Sequence, residues 1–417
     1  MITSSRLDSG LTIVTEAMPD VRSVALGFWV GVGARDESAA QAGSSHFLEH
    51  LLFKGTPTRS APEIAEAIEA VGGEMNAFTA RDHTAFYLRL LAEDLELGLD
   101  VLCDIMWDPA FRPDEVEAER QVILEEILMI GDEPADLVQE LLAAAMWPGH
   151  PLGREVLGDE ATITAMAPDA IRDFHDRHYR PGVTVLAAAG RLDDDAIRAG
   201  VTRRFAASGR APGGDRPVRT PPPAAGEPLV VHKRKTEQAH LALGMPSVTR
   251  SDPDRHAASL LIQILGGGAS SRLFQEVRER RGLAYSVYAY RSGYEDAGVA
   301  AIYAGTAPGR AAETLKVIVG EIERLAGGVT ERELEVARGN VIGSMTLGLE
   351  DSGARMSRIG RSALLHGGVP EVGELADRFR AVTVADLTRV AERLVSGPRT
   401  LAVVGPFSET KVASWLT

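Results

Sequence analysis

Two early stretches of the chain alternate between larger apolar residues and small or polar ones, a pattern typical of β-strands. The first runs from Val24 to Val32 and sets valine, leucine and phenylalanine against mainly alanine and glycine. The second runs from His83 to Leu91 and has threonine, phenylalanine and leucine on one side. Each pattern predicts a strand with one face toward a core.

A helix is predicted between these two strands. It starts at a capping box, Ser-Ala-Pro-Glu at residues 60–63, and Ile64, Ile68 and Val71 form its apolar face. The glycine pair at 72–73 ends it. Strands with helices adjacent along the chain predict an α+β fold, in which a mostly antiparallel or mixed sheet has helices packed on one face.

The length of the chain, 417 residues, is too great for one ordinary core, so we expect two domains. The segment 208–228 is rich in proline and glycine and predicts a linker near the midpoint. It separates a domain at residues 1–207 from another at 229–417. Apolar, strand-like runs at 187–190 and 401–405 lie near the ends of the two halves. They favour a duplicated domain over two unrelated α+β domains.

Charge and cysteine content narrow the class of protein. The formal net charge of −15 argues against nucleic acid and anionic membrane surfaces as partners, since both require a basic protein surface. Cys103 is the single cysteine, so an intramolecular disulfide is impossible and we expect a reducing compartment. The N-terminal residues lack the apolar core of a signal peptide, and no apolar run approaches the ~18 residues that span a bilayer. These features predict a cytoplasmic protein without a membrane or nucleic-acid partner.

The strongest chemical signal is the string His46-Phe-Leu-Glu49-His50. On a helix, residues three and four apart share a face, so both imidazoles and the carboxylate point the same way. Two neutral imidazoles suit Zn²⁺, and a carboxylate beside them suits proton transfer to and from water. The string is the inverted form of a zinc-protease motif and predicts hydrolysis. The alternative is a helix with two surface histidines.

A catalytic zinc site usually has three protein ligands and one water, so a third ligand is needed. The acidic stretch 114–127 is the richest source of carboxylates. Position alone does not choose among Glu119, Glu125 and Glu126. The whole stretch also fits a solvated acidic helix face.

Four further motifs accompany the histidine string: Leu-Leu-Phe-Lys-Gly-Thr at 51–56, Gly-Gly-Glu-Met-Asn-Ala-Phe-Thr at 72–79, Glu-Arg-Gln-Val-Ile-Leu-Glu-Glu-Ile at 119–127 and Gly-His-Pro-Leu-Gly at 149–153. Together they resemble the pitrilysin-type inverted-zincin metallopeptidases. The most similar branch contains the mitochondrial processing peptidase β subunit and its bacterial relatives. The resemblance implies one zinc ion per chain, held by His46, His50 and Glu126. It implies that Glu119 supports the site from behind the ligands.

The resemblance extends to the second half through residues 271–285. It implies that Arg278 and Tyr285 hold the substrate backbone and stabilise the developing oxyanion, whereas the second half has no metal site. Without the resemblance, the simpler interpretation of this segment would be an ordinary amphipathic helix with a surface arginine and a packed tyrosine. Four residues are implied to form an edge strand that pairs with an extended peptide: Asn76, Ala77, Phe78 and Thr79.

The expected function is that of a zinc-dependent endopeptidase in which Glu49 acts as the general base. We expect it to cleave extended or unfolded peptides in a cavity between two similar domains that face each other as a clamshell. We expect a homodimer, or a heterodimer with a metal-free homologous chain. The alternatives are a catalytically silent or partner-dependent subunit that acts as a scaffold or binds peptides, and a simple zinc-binding module.

Overall fold

The computed structural model of the chain describes residues 2–224 and 226–416. These residues form two compact units, and each unit draws on both halves of the sequence. The first unit comprises Met1–Ile127, Glu155–Arg219 and Leu347–Pro370; the second comprises Leu128–Arg154, Thr220–Thr346 and Glu371–Thr417. Within the described residues, no helix combines the length and the apolar character that a membrane crossing requires.

The first unit contains a six-stranded mixed sheet. Its strands are β1 (Ile2–Arg6), β2 (Thr12–Ala17), β3 (Ser23–Val30), β4 (Glu74–Thr79), β5 (Thr84–Leu91) and β6 (Thr184–Gly190). The order across the sheet is β1-β2-β6-β3-β5-β4. β2 and β6 run parallel, and the other neighbours are antiparallel. The two strands predicted from the alternating pattern are β3 and β5.

The second unit contains a five-stranded sheet. Its strands are β7 (Leu229–Lys233), β8 (Ala239–Pro246), β9 (Ala284–Gly293), β10 (Gly298–Thr306) and β11 (Thr400–Gly405). Its order, β7-β11-β8-β10-β9, and its strand directions repeat those of β2-β6-β3-β5-β4 in the first sheet. The prediction of two similar α+β domains with mixed sheets is therefore confirmed.

The helices before residue 208 are α1 (Ser44–Leu51), α2 (Ala61–Glu69), α3 (Leu95–Trp107), α4 (Pro113–Asp132), α5 (Pro134–Met146), α6 (Glu160–Ala165), α7 (Pro168–His178) and α8 (Asp194–Ala207). Those after it are α9 (Arg255–Gly266), α10 (Ala311–Ala326), α11 (Glu331–Gly348), α12 (Ser352–His366), α13 (Val372–Arg380), α14 (Val384–Ser396) and α15 (Glu409–Ala413). The predicted helix is α2. The backbone N–H of Ser60 donates to the carboxylate of Glu63 at 2.7 Å, as its capping box requires.

One face of each sheet packs against several helices. In the first unit, Val24, Leu26 and Phe28 of β3 are fully buried in a core that includes residues of α3 and α7. In the second unit, Leu241 and Leu243 of β8 are buried with residues of α9, α10 and α14. Full burial of one such side chain stabilises a fold by about 1.5–3 kcal/mol relative to exposure.

A further helix covers the opposite face of each sheet, which the sequence pattern did not predict. α12, from the second half of the chain, packs on the first sheet, and α5, from the first half, packs on the second. Small residues permit this close packing, since a Cβ on Gly27 of β3 would lie 2.9 Å from Sδ of Met356 in α12. The compact units therefore differ from the predicted ranges 1–207 and 229–417, because each half of the sequence contributes one helix to the other unit.

The predicted linker, 208–228, has no helix or strand among its described residues. It is nevertheless anchored. The guanidinium of Arg219 donates to both carboxylate oxygens of Asp36 at 2.8 and 2.7 Å, and the Asp36 side chain is fully buried. The backbone N–H of Gly213 donates to the carbonyl oxygen of Ser9 at 2.8 Å. Up to Arg219 the segment is thus part of the first unit and is held to it by hydrogen bonds.

The contact between α12 and the first sheet gives a test of stability. A Cβ on Gly360 of α12 would lie 2.3 Å from Nε1 of Trp29, which is buried in β3. We expect Gly360→Ala to destabilise the protein by about 1–3 kcal/mol through overpacking. Gly343→Ala in α11 is the matched control, because a Cβ there meets nothing within 4 Å. It should stabilise by about 0.5–1 kcal/mol. Equal thermal midpoints for the two variants would contradict this packing.

Candidate metal centre

The helix α1, which carries both histidines of the motif, begins at a tight turn. Gly43 precedes it with φ of 93°, a left-handed conformation that favours glycine. A Cβ there would lie 2.5 Å from the carbonyl oxygen of Leu157. The buried carboxylate of Glu37 accepts hydrogen bonds from the backbone N–H groups of Gly43 at 2.8 Å and Ser45 at 2.7 Å. It stabilises the positive end of the helix. No local motif in the sequence marks Glu37 for this role.

His46 and His50 are one helical turn apart, with ring centroids separated by 4.7 Å. His46 is buried, and burial together with the nearby His50 lowers the pKa of His46 to about 3. At neutral pH the His46 ring is therefore uncharged, which is the form that binds a metal ion.

α4 brings Glu126 to the two histidines. Its Oε2 lies 3.5 Å from Nε2 of His46 and 3.5 Å from Nε2 of His50. One ligand atom from each of the three residues lies within 4.8 Å of the others. Glu125 is exposed and lies outside this cluster. Two imidazole nitrogens and one carboxylate oxygen are a donor set found in catalytic zinc sites, so these residues fit zinc.

Glu119 lies two turns before Glu126 on α4 and is buried behind His50. Its Oε2 is 2.9 Å from Nδ1 of His50, which therefore donates to it. Its Oε1 is 2.6 Å from Nζ of Lys54. The structure thus brings Glu119 into contact with a candidate ligand, in the place that the resemblance implies, and adds Lys54, which no sequence motif marks.

Arg120 fixes the position of α4 relative to α1. Its guanidinium donates to the carbonyl oxygens of Ile163 and, at 2.9 Å, Met166, and it lies 5.5 Å from the ring centroid of Phe47 in α1. The side chain is almost fully buried. Because the hydrogen bonds of Arg120 reach residues far away in the sequence, no local pattern indicates this role.

Glu49 is half-buried on α1 and is outside the three-ligand cluster. Burial raises the pKa of Glu49, while hydrogen bonds from the side chain and backbone of Thr79 oppose this rise. Thr79 is the last residue of β4, and its hydroxyl also lies 3.4 Å from the carbonyl oxygen of Ser45. The end of β4 therefore holds the Glu49 carboxylate beside the metal ligands.

β4 contains the four residues predicted to pair with a peptide, and it lies at the edge of the first sheet. Asn76 is exposed, and its Oδ1 accepts a hydrogen bond from the backbone N–H of Ala77 at 2.8 Å. Ala77 is buried, and Phe78 packs edge-on against Trp29 with ring centroids 5.7 Å apart. The geometry of an edge strand is present, whereas peptide binding itself stays a prediction.

Arg278 and Tyr285 belong to the second unit and contact each other. The guanidinium carbon of Arg278 lies 4.4 Å from the ring centroid of Tyr285 and 4.8 Å from that of Phe274. Arg278 is in a π-helical segment, Phe274–Glu279, and Tyr285 is on the edge strand β9 with 76% of its surface exposed. An exposed tyrosine with an arginine on its face is available for contacts, and their role toward substrate stays a prediction.

Comparison with known proteins places the chain in a family. Residues 12–160 match the model described as insulinase (peptidase family M16), and residues 165–341 match the peptidase M16 inactive domain. A protein named as an uncharacterized zinc protease of Streptomyces coelicolor is 46% identical over 418 residues, covering 98% of this chain and 90% of the relative. The chain belongs to peptidase family M16. Another M16 protein, named as an uncharacterized zinc protease of Bacillus subtilis, is 38% identical over 412 residues, covering 97% of this chain and 98% of that protein.

Solved structures show the same M16 fold. A structure described as a peptidase M16 inactive domain from Pseudomonas fluorescens has a TM-score of 0.90 at 22% identity and covers 98% of each chain. A protease from Helicobacter pylori has a TM-score of 0.91 at 24% identity and covers 97% of this chain and 99% of that one. Within the described residues, the one cluster of three metal-binding side chains lies in the part that matches the insulinase model.

Proposed function

We propose that this M16 protein is a zinc-dependent endopeptidase that hydrolyses extended or unfolded peptides. The observation that carries the proposal is the position of Glu49. It lies on the helix that supplies two of the three candidate zinc ligands, and it is outside the ligand cluster. A protein that only bound zinc would not need this carboxylate, whereas hydrolysis needs a base beside the metal.

His46, His50 and Glu126 would hold the ion, which when bound supplies a Lewis acid and lowers the pKa of water. Glu49 takes the proton of the attacking water and then delivers it to the leaving amine. Thr79 keeps the Glu49 carboxylate in place through its two hydrogen bonds.

The substrate is proposed to add a strand beside β4. An edge strand offers unpaired backbone groups, so an extended peptide binds with little dependence on its sequence. An unfolded chain offers many such extended segments and a compact protein few, which favours unfolded substrates. In this proposal Arg278 and Tyr285 hold the substrate backbone and share the negative charge that develops on the carbonyl oxygen.

Metal removal tests the proposal. We expect the purified chain to cleave an unstructured peptide at internal bonds, to lose this activity after treatment with a chelator, and to regain it with added zinc. Mass spectrometry of the products identifies the cleaved bonds, and elemental analysis measures bound zinc. Cleavage that persists in the metal-free protein would contradict a zinc mechanism.

The same experiment separates the alternatives. Bound zinc without cleavage of any unstructured peptide would favour a scaffold or a subunit that needs a partner. Activity that appears only after a metal-free homologous chain is added would identify the partner-dependent case. A self-sufficient homodimer, which we propose as the simpler state, would be active alone and would elute at twice the mass of 44.5 kDa.

A further inference from the structure

We propose that Lys54 is a positioning residue of the zinc site. In this proposal its ammonium group holds the Glu119 carboxylate in place, and Glu119 in turn holds the His50 ring in the orientation that binds zinc. The inference rests on the proposed zinc site and adds to it a residue that lies two contacts away from the metal.

The contacts form a continuous chain. Lys54 Nζ lies 2.6 Å from Oε1 of Glu119, and Oε2 of the same carboxylate lies 2.9 Å from Nδ1 of His50. Nε2 of His50 then faces the carboxylate of Glu126 at 3.5 Å. Glu119 accepts a hydrogen bond from the protonated Nδ1 of His50. The other ring nitrogen, Nε2, therefore carries the lone pair that can bind a metal ion.

Burial explains why Glu119 needs a cation. Its side chain is 6% exposed, and removing a carboxylate from water is costly unless an opposite charge is near. His50 is neutral when it binds a metal, so it cannot supply that charge. Lys54 supplies that positive charge, with its Nζ 2.6 Å from Oε1 of Glu119.

The backbone of Lys54 is held on both sides, so its flexible side chain starts from a fixed point. Its N–H donates to the carbonyl oxygen of Leu51 at 3.0 Å, and its carbonyl oxygen accepts from Arg112. Gly55, the next residue, forms a bridge with Ser60. The lysine therefore reaches Glu119 from a rigid turn at the end of α1 and loses less conformational entropy than a lysine on a mobile loop.

His46 shows the contrast. Its Nδ1 is buried and has no hydrogen-bond partner within the described residues. Apart from its Nε2, which faces Glu126 at 3.5 Å, the His46 ring is therefore positioned by packing, whereas the His50 ring is also held at Nδ1 by a charged hydrogen bond. Loss of Lys54 would thus loosen the ligand histidine whose Nδ1 is held by a carboxylate.

A double-mutant cycle on zinc affinity tests the proposal. The four proteins are wild type, Lys54→Met, Glu119→Gln and the double variant, and zinc dissociation constants are measured by competition with a chromophoric chelator. We expect Lys54→Met to weaken zinc binding about tenfold, the lower end of the effect of losing an outer partner of a ligand. With Glu119→Gln present, the carboxylate is gone and Lys54→Met should have almost no further effect.

Two controls separate positioning from general damage. Lys54→Arg keeps the positive charge and should retain most of the zinc affinity. Lys316→Met removes an exposed lysine of the second unit and should leave zinc affinity unchanged. Thermal midpoints of the metal-free variants show whether they fold.

The outcomes are distinct. An equal loss of affinity from Lys54→Met with and without Glu119 would overturn the proposal, as would no loss in either background. If Lys54→Met does not fold, the same double-mutant cycle is measured with Lys54→Gln, and the same two outcomes would overturn the proposal. If the wild-type protein binds no zinc, the proposed function itself fails, and that result is separate from the comparison among the variants.

Discussion

Glu49→Gln is expected to slow peptide cleavage by about 10²–10⁴-fold while zinc binding stays at the wild-type level. Glutamine has nearly the shape of glutamate and can still accept a hydrogen bond from Thr79, but it cannot take a proton from water. General acid–base catalysis contributes about 10²–10⁴-fold to a rate, so turnover should fall by about that factor. The measurements are the kcat for an unstructured peptide and the zinc content of the purified variant.

Glu125→Gln is the matched control for this experiment. It removes the same charge from an exposed residue of α4 that lies outside the cluster, so we expect wild-type turnover. If Glu49→Gln retained cleavage, Glu49 would have no part in the mechanism. If it lost zinc and cleavage together, its carboxylate would serve the metal and not the proton transfer.

Glu126→Ala should weaken zinc binding far more than Glu125→Ala. The Oε2 of Glu126 is 3.5 Å from both imidazole Nε2 atoms, whereas Glu125 is exposed and outside the cluster. Loss of an outer partner of a ligand costs about 10–100-fold in metal affinity, so loss of a direct ligand should exceed about 100-fold. Zinc dissociation constants of the two variants test this.

Comparing Glu126→Ala with Glu125→Ala separates the loss of a zinc ligand from the loss of a nearby negative charge. Both variants remove one carboxylate from the same turn of α4, so a general effect of charge on zinc affinity would weaken both equally. Stronger loss from Glu125→Ala would move the third ligand by one residue. Cleavage should follow zinc occupancy, and Glu126→Ala should regain some activity at high zinc concentration.

Much of the fold could be predicted from local sequence patterns. The alternation in β3 and β5 and the capping box of α2 are signals within a few residues, and the structure has these elements where the patterns place them. The helix on the opposite face of each sheet could not be predicted in this way. Small residues such as Gly27 only permit a close neighbour, and the neighbour, α12, comes from the far end of the chain.

The residues of the candidate site likewise fall into those that local sequence patterns predict and those that depend on distant contacts. The relation of His46 to Glu49 and His50 follows from helical spacing, because all three are on one helix. Spacing alone left three glutamates of α4 as possible third ligands. The family resemblance named Glu126, and the structure places its Oε2 3.5 Å from Nε2 of both histidines. The roles of Glu37 and Arg120 depend on contacts with backbone atoms of other segments, which leave no pattern in the sequence.

The positions of α5 and α12 show that neither half of the sequence forms a complete domain by itself. Each sheet depends on the other half for the helix that covers one of its faces. This reciprocal exchange of one element is what defines a domain-swapped dimer. The polypeptide therefore has the topology of a domain-swapped pair fused into one chain, and among the described residues the cluster of three metal-binding side chains lies in the first unit.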